Sequence, residues 1–425
     1  MSTSVSNSGN LNQAGRIASL ITPSDSSKKV DWPRFSSYPL LILLVVKPFT
    51  DAFYEVEAVK YSYVLLLLCA SLFAKYGQVI QGGKADPRKK SLLPFIILIV
   101  LYFYYQFGLA ITYGGSFSEM FKIISPFVFF ILVAFGADRW MIYALALGSA
   151  LTIIINAALL PFDYGWVMWG DIKTFKGFYY FKTDLAYALC FSVLLVSFYM
   201  RNKISPVLVL LILVAAIEVI LANSRLNYLS FFLVVIFLAL KEGVSVRSMV
   251  SYSFLFGLLG LVAVLLYDPT KLLGFDTTSD AAFTQGRSVT WQHLVDSLMD
   301  FSPIEWLCGR GAFADLMLSA DINGAGQVAH NAHNEILHLI YTQGFIGVVF
   351  YFSLWLMMFK MSHIQDMPKW ARGTDSLALA LFVLQGMTAV LSSFATKTWP
   401  LVMVLLALRG LGIDSGKNKQ SAPPS

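Results

Sequence analysis

The stretch LLPFIILIVLYFYYQFGLAIT, from Leu92 to Thr112, contains no charged side chain. As a helix rising ~1.5 Å per residue it would be about 30 Å long and apolar on every side. A β-barrel strand alternates apolar and polar residues, so this pattern speaks for helices and against a barrel. Across the chain 57% of the residues are hydrophobic and 13% charged, against roughly 25% charged in an average soluble domain. The expectation is therefore an all-α, polytopic integral membrane protein.

Helices are expected near 38–54, 60–75, 92–112, 117–135, 139–159, 179–200, 205–221, 227–240, 249–267, 335–359, 375–395 and 397–412, which makes about 12 transmembrane spans. The first carries Lys47 and Asp51, and the eighth is short. With the N-terminus inside, the loops holding Arg16, Arg34, Lys84, Arg88, Arg201, Lys241, Lys369 and Arg409 all face the cytoplasm. The formal charge of +6 then reads as topology and not as nucleic-acid binding. Residues 1–36 and 414–425 read as cytoplasmic tails flanking a membrane domain at 37–413, and the first tail has no signal-peptide pattern. Cys69 and Cys190 fall inside spans, leaving Cys308 alone outside, so no disulfide framework or metal-thiolate set is expected.

This topology leaves two longer segments on the outer face, 160–180 and 267–334. In the second, SVTWQHLVDSLMDF puts Trp291, Leu294, Val295, Leu298 and Met299 on one helical face, for packing on the spans or lying on the membrane. Three arginines share that side. Arg225, in LANSRLNYL, is either an interfacial anchor or faces a water-filled cavity. Arg287 precedes Trp291 by one helical turn, and Arg310 lies in CGRGAF, where glycines permit close backbone approach. The exit of the segment reads AHNAHNEILHLIYTQGFIG. His330 and His333 fall about 60° apart on a helix and Glu335 about 200° from His333, which is not a zinc-binding spacing. These histidines suit either general-base work or a polar helix entrance, with Asn331 or Asn334 as the cap. Gly344 and Gly347 read as close-packing positions. Asp184 and Glu218 are intramembrane acids of open role.

HNEILHLIYTQGFIG, preceded in order by KGFYYFKTDLAYALCF, SRLNYLSFF, GRSVTWQHL and WLCGRGAF, resembles the O-antigen ligase and O-antigen or exopolysaccharide polymerase superfamily. The resemblance covers about 180–350. It implies a GT-C-type, metal-independent, inverting glycosyltransferase without cofactor, in the bacterial inner membrane, with 267–334 as a periplasmic loop. Such an enzyme moves a glycan from undecaprenyl diphosphate to an acceptor hydroxyl, on another glycan or on lipid A-core. Its setting is membrane lipid, with a flippase and a chain-length regulator as companions. By motif His333 is the catalytic histidine and Arg225 and Arg287 bind diphosphate; Arg310, His330 and Asn334 complete the expected substrate site. The competing expectations are a flippase for lipid-linked saccharides and a membrane scaffold without catalysis.

Overall fold

The computed structural model describes residues 32–50, 53, 56–80, 92–114, 117–136, 140–169, 172–201, 205–241, 287–312, 314–323, 332–363, 367–387, 389–391 and 395–420. The expected span at 249–267, most of the tails, and His330 and Asn331 lie outside these residues, as does the side chain of Arg287.

Five helices come first: α1 (Trp32–Thr50), α2 (Glu57–Ile80), α3 (Leu92–Tyr113), α4 (Phe117–Gly136) and α5 (Met141–Leu159). A two-stranded antiparallel hairpin follows, β1 (Trp166–Trp169) and β2 (Ile172–Phe175), in a segment that reads as plain loop in the sequence. Then come α6 (Lys182–Tyr199), α7 (Pro206–Leu221) and α8 (Arg225–Lys241). After the undescribed stretch stand α9 (Arg287–Met299), α10 (Pro303–Cys308), α11 (Ala314–Asn323), α12 (Glu335–Ser362), α13 (Thr374–Gly386) and α14 (Ala395–Gln420). The helical periodicity is thus expressed nearly where expected. Local signals help: Ser205 accepts a hydrogen bond from the Leu208 N–H at 3.1 Å, with Pro206 in the first turn of α7.

Helix α6 is the axis of the bundle, packed by α5, α7, α8 and α14. Its residues from Leu185 to Phe198 are buried without interruption, so it is wrapped by protein and shows no side to any other medium. Helix α2 packs along α1, and α5 packs on α1 where Gly148 lets the Val45 carbonyl approach. Aromatic side chains fill the centre: Phe127 meets Tyr351 and Trp355 edge-on at 5.9 and 5.3 Å. Polar groups are buried there too, among them Lys47, Lys182, Asp184, Glu218, Glu335 and Arg409.

This packing corrects the expected architecture. The all-α character is consistent with it, but the twelve spans are not. Among the described residues 4 helices are long and apolar enough to cross a membrane: α3, α5, α6 and α12. Helix α7, with 16 residues, and α13, with 13, fall short of ~30 Å of hydrocarbon at ~1.5 Å per residue. The apolar run of α6 meets other helices: 89% of its window is buried, against 33% in α3, 44% in α5 and 39% in α12. Hydropathy is not exposure.

Candidate functional site

The polar cluster at the entrance of α12 is built residue by residue. The Ala332 N–H donates to Asp315 Oδ2 at 2.9 Å, and the Ala332 carbonyl accepts from Trp291 Nε1 at 2.6 Å. Asn334 is the helix cap: its Oδ1 accepts from the Leu337 N–H at 3.0 Å. Its amide also donates to the Met387 carbonyl at 3.4 Å. Glu335 Oε2 accepts from the Leu391 N–H at 2.6 Å. Held between two tied neighbours, His333 has φ 50°, a left-handed backbone conformation that is uncommon outside glycine. His338 makes the buried contact: its Nδ1 lies 2.7 Å from Asp315 Oδ2, with side chains 3% and 0% exposed. Burial pushes the Asp315 carboxyl up, but the charge and hydrogen bond of His338 and the Ala332 N–H outweigh it and hold the group below its usual range. Sequence reasoning misses the pairing of Asp315 with His338, since nothing in their spacing announces a contact across separate helices.

Gly344, by sequence a packing position in a continuous helix, has φ 61° and ψ −172° and breaks α12. The freed carbonyls of Tyr341 and Thr342 are taken by the N–H groups of Arg310 and Gly311, at 3.0 and 2.9 Å. Tyr105 donates its hydroxyl proton to the Cys308 and Gln343 carbonyls on both sides of this splice. The guanidinium of Arg310 bonds Glu305 at 2.8 Å and Ser297 at 3.2 Å and stacks on Phe301, 4.3 Å from the ring centre. The glycines around Arg310 therefore serve a backbone-to-backbone approach.

Arg225 opens α8 at a second cluster. It lies close enough to Lys182, the first residue of α6, for their like charges to act on each other. Lys397 of α14 is 3.9 Å from Asp184. Asn227, two residues further along α8, donates to the Thr183 carbonyl at 3.3 Å and to Ser224 at 2.8 Å, and accepts from Gln385. Beside the cluster, a cleft between α5, α6 and α14 is lined by Tyr179, Phe191, Ser192, Trp399 and Met403. The ammonium of Lys47 sits 4.6 Å from the Trp399 ring centre. Sequence reasoning also misses Lys182 and Lys397, which come from helix ends far apart in the chain.

Helix α13 joins the two clusters at its C-terminal end. Gln385 bonds Asn227, two residues from Arg225, while the Met387 carbonyl bonds Asn334, next to His333. The segments bearing Arg225 and His333 thus meet the same end of one helix. Among the described residues no group of three or more His, Cys, Asp or Glu could hold a metal ion.

The resemblance to the O-antigen ligase and polymerase superfamily does not hold, because among the described residues 4 helices, and not twelve, are long and apolar enough to cross a membrane. With it go glycan transfer from undecaprenyl diphosphate at a periplasmic face, the lipid-linked-saccharide flippase and the placement in a bacterial inner membrane. The first of these is an implication of the resemblance, and all of them need a multi-span membrane protein. No protein-family model, no curated protein and no solved structure matches this chain.

Proposed function

We propose that the chain binds a ligand through an anionic group, a phosphate or a carboxylate, where Lys182, Arg225 and Lys397 gather. The observation behind this reading is that Arg225, at the start of α8, acts electrostatically on Lys182 at the start of α6, while Lys397 of α14 stands 3.9 Å from Asp184, two residues further along α6. Holding like charges together costs free energy, and an anion that accepts hydrogen bonds from them offsets that cost. The planar fork of Arg225 suits a bidentate oxyanion, and Lys182 and Lys397 add point charges. His333 stands at the same end of α13, within the ligand's neighbourhood on this reading.

The test is calorimetric titration of the purified full chain with inorganic phosphate, sulfate and acetate. Arg225→Ala should weaken oxyanion binding by about 10-fold or more, as expected for losing a hydrogen bond to a charged group. Arg225→Lys should recover only part of it. Equal affinity in the wild type and Arg225→Ala, or no binding of any of the three anions, would overturn the proposal.

A further inference from the structure

Glu218 is a buried acid that the anion site does not use. It lies in the last turn of α7 in the sequence AAIEVIL and is 0% exposed. Among the described residues neither of its carboxylate oxygens has a hydrogen-bond partner. A carboxylate in such surroundings lacks both water and donors, and the neutral acid is the form that burial favours. Burial pushes the Glu218 carboxyl up to about 9.

Among the described residues the surroundings offer no compensating contact. Helix α6 carries Lys182, Asp184, Tyr187 and Cys190 along its packed length, and α5 carries Tyr143. From α8 come Arg225 and Tyr228, and from β2 comes Lys173; Tyr199 and Lys241 end their helices near the start of α7. None of these groups donates a hydrogen bond to Glu218.

The position ties this acid to the cationic cluster. The Ala222 N–H donates to the Glu218 carbonyl at 2.9 Å, and the chain then turns through Asn223, at φ 48°, into Ser224 and Arg225. Tyr228 fastens this turn by donating to the Ile220 carbonyl at 3.1 Å. A charge appearing on Glu218 would therefore arise about one helical turn from the segment that presents Arg225.

We propose that Glu218 is a proton-binding site, occupied in the resting protein, and that losing this proton weakens anion binding at Lys182, Arg225 and Lys397. The ionised carboxylate would lack both water and donors in this packed position, and would loosen α7 from α6 together with the turn that presents Arg225. The proposal rests on the anion-binding reading above, and the experiment separates the two.

The sign of the stability effect follows from linkage. A carboxyl whose folded pKa lies above its unfolded value binds more protons in the folded state between the two. Folding stability from Glu218 is therefore present at low pH and is lost as pH rises from about 4.5 toward about 9. The full chain, Glu218→Gln and the similarly sized Glu218→Met are each melted and titrated with sulfate from pH 6 to 10. Sulfate does not titrate in this range, and Lys182 is common to all three chains, so differences isolate Glu218. The wild-type melting temperature should fall with rising pH more steeply than that of either variant. Wild-type sulfate affinity should drop at least about 10-fold more than the variants' between pH 7 and 10. Parallel melting curves overturn the proton site, and parallel affinity curves overturn its coupling to the anion site. If sulfate binds none of the chains at any pH, the anion-binding reading and the coupling fall together, and the melting curves alone decide the proton site.

Discussion

The bundle around α6 and the cap formed by α9, α10, α11 and the first half of α12 are held by different forces. In the bundle, one continuous set of buried Leu, Val, Ile and aromatic side chains runs through the helices. The cap has a small apolar centre of its own, Leu294, Leu298, Phe301, Ala332, Tyr341 and Val390. It is closed by directional contacts: the Ser302–Glu305 capping box, the Arg310 network, the Asp315–His338 pair and the carbonyls spliced at Gly344. Apolar burial is non-directional, and it dominates the bundle even where single polar groups such as Glu218 and Asn227 are enclosed in it. Directional polar contacts fail one atom at a time. The cap should therefore open before the bundle does.

The largest effect should come from His338→Ala. Removing one partner of a buried, hydrogen-bonded pair that includes a carboxylate costs up to about 3–5 kcal/mol, because Asp315 would be left buried without the His338 ring. Hydrogen exchange should speed up across α9, α10, α11 and the first half of α12 while α6 keeps its protection, and equal loss in both regions would erase the distinction. The pair also has a pH signature. The Asp315 carboxyl is held below its unfolded value, so its stabilisation is present above about pH 4 and is lost as pH falls through the folded value. Cap protection should fall on acidification below that point, and Asp315→Asn should remove the dependence.

Gly344→Ala should come next. A Cβ at this position would collide with the Leu307 and Cys308 backbone, and φ 61° is itself unfavourable for alanine. The expected cost is about 3 kcal/mol, read as a lower denaturant midpoint together with easier proteolysis of the cap. The smallest pair sharpens the comparison from both sides. Asn334→Ala in the cap and Ser205→Ala in the bundle each remove one helix cap, worth about 1 kcal/mol. The first should register in local exchange of the cap, and the second only in the global transition.

Several parts of the candidate site are legible in the amino-acid sequence. Asn334 is one of two expected caps, and Arg225 stands out as a charge between two apolar helices. The amphipathic segment at 287–299 forms a helix that buries Leu294 and Leu298, yet Met299 is 76% exposed. Part of the expected face therefore points away from the protein. What stays hidden has a common character. Lys182, Lys397 and Gln385 matter through residues on other helices, and Gly344 looks in sequence like any small residue in a helix. Its role as a break depends on Arg310 and Gly311 arriving to take the released carbonyls.

By itself the sequence determined where helices form, because helix periodicity, a Ser-Pro start and an Asn cap act within a few residues of chain. Only the tertiary structure decided which apolar faces meet another helix, where an apolar helix stops being one straight rod, and which charges share a site. Those are properties of surfaces brought together over long sequence distances. Hydropathy reports the cost of leaving a side chain in water, and it does not say whether lipid or protein removes that cost. Helix α6 shows the consequence: it is apolar enough to cross a membrane, and 89% of its apolar window is buried inside the protein.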